Sequence, residues 1–303
     1  MAKPPRIIDA HHHLWDLSAL HRYPWLMEKG SVRFFGDPGP IQCDYLPEDF
    51  RKDIGELPIV ASVHIQVGVA PGDDVAETHW LEEQRRQTGL PSAIVAYCDL
   101  TAPNLASKLS AHQKAAGLRG IRQIVGRSAE EDKRTGSAML LENPNFVVGL
   151  KCLAERELTF DLQLIPAQME RAAALLSQVP NLRVALCHAG SLSDPSAEGM
   201  AQWKHGVIQL SKLPHLICKL SGFGMFDKRW SWQSIKTQFE TVLDTFGPER
   251  IAFGSNFPVD KLALPYAEVW DRYFELTKQL RSEELTNIFH DTAARFYRIA
   301  LSD

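Results

Sequence analysis

The chain has 303 residues, 45% of them apolar, and its 33 basic and 37 acidic residues leave a net charge of −4. This length suits one (β/α)8 barrel of ~250 residues with insertions, or two ordinary domains of ~150 residues. The near balance of charge gives no strong field to attract nucleic acid or an anionic membrane surface. No run of ~18 apolar residues predicts a membrane span. We therefore expect no nucleic-acid partner and no membrane association.

The N-terminus and the cysteines indicate the subcellular compartment of the protein. Met1 to Arg6 lead directly into a short strand, without the apolar stretch of a signal peptide. The five cysteines are scattered and form no CxxC pair. They are Cys43, Cys98, Cys152, Cys187 and Cys218. Reduced thiols fit this pattern, so we expect a cytoplasmic protein, and no feature of the sequence indicates an oligomeric state.

Short β-branched runs alternate with longer amphipathic stretches. The predicted strands cover residues 6–10, 59–67, 93–98, 118–124, 159–164, 183–187, 216–220 and 251–253. Helical periodicity lies between them, for example at 104–116, 167–178 and 232–246. Eight strands separated by helices favour parallel pairing through right-handed crossovers. We predict one α/β domain over residues 1–303, a (β/α)8 TIM barrel. An open doubly wound sheet is the alternative, and the lack of GxGxxG after the first strand weakens its nucleotide-binding version.

Two segments depart from this alternation. Residues 14–58 show no strong helix or strand pattern and combine prolines and glycines with aromatic residues. These aromatic residues are Trp15, Tyr23, Trp25, Phe34, Phe35 and Tyr45. Long loops in compact domains are usually functional, so we predict an aromatic-rich loop after strand 1 that covers the barrel and places Trp15 and Trp25 against substrate. A loop that packs only on itself is the alternative. The charged residues 128–134 predict a solvated face.

Polar residues follow the apolar strands at their C-terminal ends, where barrel enzymes place catalytic side chains. In chain order they are Asp9, His11, His13, His64, Gln66, Arg122, Asp161, Gln163, His188, Lys219, Ser221, Ser255 and Asn256. We expect these positions to converge on one site for a small-molecule substrate. The predicted substrate contacts among them are His64, Gln66, Arg122, Asp161 and Lys219.

His11 and His13 give the strongest local signal. Alternate residues of a strand point to the same side, so both imidazoles face one site and His12 faces away. A surface cluster or a tag remnant is the alternative, and the position directly after strand 6–10 disfavours it. His188 leaves a buried strand before a small-residue turn and is predicted to join them, with a structural histidine as its alternative. Cys187 could act as a nucleophile, but an inert strand cysteine is favoured.

Lys219 and Arg122 lie within apolar strands, where a charge does not stay unpaired. One interpretation is that they form a clamp for a carboxylate or an oxyanion. The other is a structural ion pair with Asp161 or Asp9. The sequence favours neither interpretation over the other.

A series of motifs runs in order along nearly the whole chain. They are Ile8-Asp9-Ala10-His11-His12-His13-Leu14-Trp15-Asp16, Tyr23-Pro24-Trp25-Leu26, Val63-His64-Ile65-Gln66, Glu77-Thr78, Gly120-Ile121-Arg122, Phe160-Asp161-Leu162, Cys187-His188, Lys219-Leu220-Ser221-Gly222, Gly254-Ser255-Asn256-Phe257-Pro258 and Ala293-Ala294-Arg295-Phe296-Tyr297. This set resembles the amidohydrolase-related proteins of the fuconolactonase and pyrone-dicarboxylate lactonase type.

The resemblance implies a barrel that hydrolyses small ring lactones, with or without a bound divalent metal. Family members use a first-strand HxH, a sixth-strand histidine and an eighth-strand aspartate, so His11, His13 and His188 are implied as catalytic groups and as ligands of one zinc ion. The eighth-strand acid is Asn256 here, and the residue before His188 is Cys187 instead of aspartate. Both departures remove a negative charge, so we expect weak or substoichiometric metal. The sequence shows no fifth-strand histidine and no fourth-strand metal-bridging lysine, so we expect no binuclear centre.

We therefore predict a hydrolase of a small lactone or a related sugar-acid or carboxylated ester. Water would attack a carbonyl held by His11, His13 and His188, with Asn256 completing the catalytic group. One alternative is a metal-dependent decarboxylase of a small aromatic or unsaturated acid. The other is a non-catalytic sugar-acid-binding barrel, because an amide at position 256 cannot act as a general base.

Overall fold

Eight parallel strands form the centre of the computed structural model, which describes residues 5–19, 21–30 and 32–301. The strands are β1 (Ile7–His12), β2 (Ile59–Ile65), β3 (Ala93–Ala96), β4 (Leu118–Ile121), β5 (Thr159–Leu162), β6 (Val184–Leu186), β7 (Leu216–Leu220) and β8 (Ile251–Phe253). Each strand pairs in parallel with the next one along the chain. All eight predicted strands are present, and the predicted (β/α)8 barrel is confirmed.

Helices separate the strands and cover the outside of the barrel. They are α1 (Pro24–Met27), α2 (Pro47–Ile54), α3 (Asp74–Thr88), α4 (Leu105–His112), α5 (Ala129–Thr135), α6 (Pro144–Glu155), α7 (Met169–Leu176), α8 (Ala197–Ser211), α9 (Trp232–Phe246), α10 (Tyr266–Thr277), α11 (Ser282–Thr286) and α12 (Thr292–Tyr297). Within the described ranges, no helix is both long enough and apolar enough to pass through a bilayer. Residues 1–4 and 302–303 lie outside the described part of the chain. The predictions of one domain over 1–303 and of no signal segment at the N-terminus therefore stay predictions.

Two backbone hydrogen bonds join the segment that follows β8 to the end of β1, at the C-terminal end of the barrel. Asn256 donates its N–H to the His11 carbonyl at 2.7 Å, and His13 donates to the Phe257 carbonyl at 2.7 Å. The register of β1 against β2 slips between Asp9 and His12, an irregularity of the kind that redirects side chains near active sites. The segments that carry His11, His13 and Asn256 are therefore bonded directly to one another.

Segment 14–58 contains more regular structure than the sequence predicted. Helix α2 begins with Pro47, and the Asp49 carboxylate accepts the Leu46 N–H at 3.2 Å. Phe50 of this helix stacks on the His12 ring, with the centroids 4.1 Å apart. The prediction of a segment without helix was wrong here, because a helix of 8 residues is too short to show a clear apolar period.

The charged residues 128–134 form helix α5 and its N-cap, with two buried acids. The Glu131 carboxylate accepts two hydrogen bonds from Arg33, at 3.1 and 3.0 Å. Asp132 accepts the backbone N–H of Arg127 at 2.9 Å. The prediction of a solvated face was wrong for these two residues, because the remote Arg33 side chain covers Glu131 and the backbone just before α5 folds back onto Asp132.

The lower half of the barrel is apolar and is closed by the end of the chain. Ile8, Val63 and Ile217 belong to a buried cluster of strand residues on which Phe296 and Tyr297 of α12 pack. The polar strand ends lie at the other end of the barrel. The apolar cluster and the polar strand ends therefore occupy opposite ends of the barrel, and barrel enzymes usually bind substrate at the polar end.

Candidate active site

A cavity of about 450 Å³ opens at the C-terminal ends of the strands. Six of the predicted polar positions line it: His13, Gln66, Arg122, Gln163, His188 and Asn256. Trp15, Trp25, Phe34 and Phe35 from segment 14–58 also line it, so the aromatic loop contributes to the wall of the cavity. The volume lies within the range of small-molecule sites.

Three predicted site histidines lie together at this cavity. The ring centroids of His11 and His188 are 4.6 Å apart, and those of His11 and His13 are 5.2 Å apart. His13 and His188 line the cavity, whereas His11 is fully buried beside them. His12 faces the opposite side and stacks on Phe50.

The local backbone makes room for these rings. A Cβ atom at Gly254 would lie 2.5 Å from the Cβ of His11, and one at Gly222 would lie 2.5 Å from Nδ1 of His188. Any larger residue at either glycine would displace a histidine. His188 and Asn256 have positive φ angles of 54° and 57°. Non-glycine residues rarely adopt this conformation, and such outliers concentrate at functional sites.

The site histidines are neutral. Burial, with the nearby charge of Arg122, lowers the pKa of His13 to about 3, and burial lowers the pKa values of His11 and His188 well below their ordinary value. Nδ1 of His13 lies 2.7 Å from the Ile65 carbonyl oxygen, which can only accept, so Nδ1 carries the proton. Nε2 of His13 therefore presents a lone pair.

Asn256 links His13 to a buried carboxylate. Its Oδ1 lies 3.3 Å from Nε2 of His13, and its Nδ2 donates to Oδ1 of Asp260 at 2.9 Å. The other Asp260 oxygen accepts the N–H of Gly224 at 3.2 Å. Burial raises the pKa of Asp260 to about 7, against the lowering effect of these two hydrogen bonds.

Lys219 and Asp161 pair with each other away from the cavity. Their Nζ and Oδ2 atoms are 2.5 Å apart, both side chains are fully buried, and the Tyr297 hydroxyl donates to the same oxygen at 2.8 Å. For Lys219 the contacts support the ion-pair interpretation. His64 lies on the side of β2 opposite to Val63 and contacts the Leu14 carbonyl through Nε2 at 3.2 Å. Lys219, Asp161 and His64 were predicted substrate contacts, and none of the three lines the cavity.

Arg122 lines the cavity and has neutral partners. Its Nη1 donates to Oε1 of Gln163 at 3.0 Å and its Nη2 to the Gln66 carbonyl, while Nε has no hydrogen-bond partner in the described part of the chain. The Oε1 of Gln66 accepts the N–H of Gly68 at 2.6 Å. The carbonyl oxygens of both glutamines are therefore occupied, which leaves their NH2 groups as donors beside the guanidinium.

Sequence analysis missed Arg33, Arg127 and Asp260. The two arginines line the cavity wall, but they come from segments whose fold could not be read from periodicity. Asp260 lies four residues after Asn256, and the charge that directly follows Phe257-Pro258-Val259 was the signal that could have identified it.

The donor chemistry of the site fits a divalent metal ion. His11 has two buried ring nitrogens without a hydrogen-bond partner among the described residues, and neutral imidazoles bind zinc and similar ions. Asn256 adds an amide oxygen. The ligand atoms of the three histidines do not all fall within 4.8 Å of one another, so the arrangement is wider than a formed metal centre. The single weakly bound ion therefore stays a prediction.

Asp74, Cys98 and His112 form a separate buried group whose ligand atoms do lie within 4.8 Å. Lys108 donates to Oδ2 of Asp74 at 2.8 Å and already balances its charge. Burial raises the pKa of the Cys98 thiol to about 12, so the thiol stays protonated. We interpret this group as a structural polar network.

Comparison with known proteins agrees with this architecture. The Amidohydrolase family model matches residues 8–299. The chain is 36% identical to the Sinorhizobium fredii protein y4mH, over 97% of this chain and 98% of the relative. It is 29% identical to L-fucono-1,5-lactonase of Burkholderia multivorans, over 96% of both chains. A crystal structure of a Burkholderia multivorans amidohydrolase with bound zinc superposes with a TM-score of 0.82 at 27% identity, over 97% of this chain and 99% of that one. The chain belongs to the amidohydrolase family.

Proposed function

We propose that the protein hydrolyses a small lactone or a related ester that carries a carboxylate. The observation that carries this proposal is Arg122, a buried guanidinium that faces the cavity with neutral partners. Arg33 and Arg127 also line the cavity, but Glu131 lies 3.0 Å from Arg33 and 3.9 Å from Arg127 and compensates their charge, so the proposal rests on Arg122. A buried cation without a carboxylate partner favours an anionic ligand.

The chain's own residues can divide the work of hydrolysis. Arg122 and the NH2 groups of Gln66 and Gln163 bind the carboxylate, which places the ester carbonyl near His13 and His188. The lone pair on Nε2 of His13 takes a proton from the attacking water, and the proton then passes to the alkoxide that leaves when the ring C–O bond breaks. A divalent ion held by His11, His13, His188 and Asn256 would occupy this Nε2 lone pair, and it would then supply the nucleophile instead by lowering the pKa of a bound water.

Two relatives support a lactone substrate and a metal. L-fucono-1,5-lactonase of Burkholderia multivorans shares 29% of its residues with this chain, and the amidohydrolase crystal structure at 27% identity holds zinc. Asn256 at the end of β8 cannot accept a proton as an aspartate would, so the base function falls to a histidine.

The test is a panel of lactones offered to the purified protein, with proton release followed in weakly buffered solution. The panel pairs carboxylated lactones with their neutral methyl esters, and assays are run after chelation and with added zinc. We expect turnover of a carboxylated member. His13→Ala is expected to lower turnover by ~10²–10⁴-fold, the usual contribution of a positioned base.

Other results would support the alternatives. Carbon dioxide release from an aromatic or unsaturated acid would identify a decarboxylase. Binding of sugar acids without turnover of any lactone would identify a non-catalytic barrel. Turnover that His13→Ala leaves unchanged would contradict the proposed site.

A further inference from the structure

The orientation of the Asn256 amide is fixed by its neighbours. Oδ1 of Asp260 is 2.9 Å from Nδ2 of Asn256, and in its carboxylate form Asp260 can only accept, so the NH2 group of Asn256 faces it. The reverse orientation would place two oxygen acceptors against each other. The amide oxygen therefore faces the other neighbour, Nε2 of His13, at 3.3 Å.

This orientation places a lone pair of Asn256 Oδ1 against the lone pair of His13 Nε2 in a buried corner of the site. Nδ1 of His13 donates to the Ile65 carbonyl, which leaves no proton on Nε2 to bridge the gap to Oδ1. The separation of 3.3 Å is close to the ~3.3 Å between two ligand atoms of a tetrahedral zinc ion with bonds of ~2.0–2.1 Å. The corner therefore has the geometry of two ligands that share one cation.

We propose that Asp260 is a positioning residue, which holds the Asn256 amide with its oxygen toward His13 so that the two side chains bind one divalent cation. The proposal rests on the metal included in the proposed function. Asn256 and Asp260 together replace the single acid expected at the end of β8. The neutral amide of Asn256 is the ligand, and the Asp260 carboxylate holds that amide in its orientation.

A carboxylate suits position 260 for a structural reason. Asp260 accepts two N–H donors, one from the Asn256 side chain and one from the backbone of Gly224. Asparagine at 260 has one acceptor oxygen and one donor nitrogen, so it can satisfy only one of these partners. Asp260→Asn thus removes either the support of Asn256 or the bond to Gly224, with little change in side-chain volume.

The experiment measures Co²⁺ and Zn²⁺ binding to metal-free protein, Co²⁺ by its visible absorption spectrum and Zn²⁺ by competition with a chelator. Asp260→Asn is expected to weaken affinity by ~10–100-fold and to change the Co²⁺ spectrum, as other losses of support for a metal ligand do. Glu82→Gln is the matched control. Glu82 also accepts a glycine N–H, from Gly117 at 2.8 Å, and a side-chain N–H, from Arg85, but it does not line the cavity.

The swapped pair N256D/D260N provides the rescue. Asparagine at 260 can accept from Gly224 and donate to a carboxylate at 256, whose second oxygen then faces His13. We expect the swap to restore Co²⁺ affinity to the natural level or above. It also tests the proposal if the single Asp260 variant does not fold.

Three outcomes would overturn the inference. They are no Co²⁺ binding by the natural protein, equal binding by the Asp260→Asn variant, and a swapped protein with natural thermal stability but weak binding. If one of these outcomes is found and the metal-free natural protein still hydrolyses a lactone, the proposed hydrolysis stands and only the proposed role of Asp260 is wrong.

Discussion

Lys219 and Arg122 are two buried cations of one barrel with opposite surroundings. Lys219 is fully buried, pairs with Asp161 at 2.5 Å and has no contact with the cavity. Arg122 bonds to a glutamine side chain and a backbone carbonyl and faces the cavity. Both residues gave the same signal in the sequence, a cation within an apolar strand.

The difference lies in where each charge finds its compensation. A buried ion pair balances itself within the fold, and removing one partner leaves an uncompensated charge. A buried cation with neutral partners is compensated when an anionic ligand arrives. Lys219 therefore belongs to the stability of the barrel, and Arg122 to the proposed binding of substrate.

The largest expected effect is on the ion pair. Lys219→Met leaves the Asp161 carboxylate buried without its cation, and we expect the free energy of unfolding to fall by ~3–5 kcal/mol. Urea denaturation measures this change. The double variant K219M/D161L removes both charges and is expected to lose much less than the single variant. A change below ~1 kcal/mol for Lys219→Met would show that the pair does not stabilise the barrel.

Glu77 extends the comparison to a buried acid. It is fully buried, accepts the Val67 N–H at 3.3 Å, and burial raises its pKa from 4.5 to about 7. Between pH 4.5 and pH 7 the unfolded chain loses the Glu77 proton, whereas the folded protein keeps it. The free energy of unfolding therefore falls as pH rises through this window. The fall is ~1.4 kcal/mol per pH unit and about 3 kcal/mol in total.

Glu77→Gln removes this penalty, because glutamine stays neutral at every pH in that window. We expect the variant to gain about 3 kcal/mol relative to the natural protein between pH 4.5 and pH 8, measured by urea unfolding at both values. Glu283→Gln on the exposed surface is the control. If the free energy of unfolding of the variant differed from that of the natural protein by the same amount at both pH values, the raised pKa of Glu77 would be contradicted.

The smallest of the three effects concerns Arg122. Arg122→Gln removes a charge-assisted contact worth ~1.5–3 kcal/mol, so KM for a carboxylated substrate is expected to rise by about 10–150-fold. The neutral methyl ester of the same substrate serves as the control, with little change in KM. Loss of thermal stability with unchanged KM would assign Arg122 to the fold, as the contacts assign Lys219.

Much of the architecture could be predicted from the sequence. The eight strands followed from β-branched runs and from helical periodicity between them, because these signals are local. His11, His13, His188 and Asn256 lie at or just after strand ends, because the end of a barrel strand can be recognised in one dimension, and their roles stay predictions. Helix α2 was missed, because 8 residues with few apolar positions give little periodicity.

The sequence by itself determined the barrel, the strand ends and the set of neutral and charged side chains placed there. Only the tertiary structure decided which of those side chains compensate one another. Lys219 and Asp161 are 58 residues apart, and β5 and β7 bring them together across the barrel. The role proposed for Asp260 depends on the turn after β8, which places its carboxylate between Asn256 and Gly224. Charge compensation depends on distances of a few ångströms between remote segments, and these distances exist only after the barrel has closed.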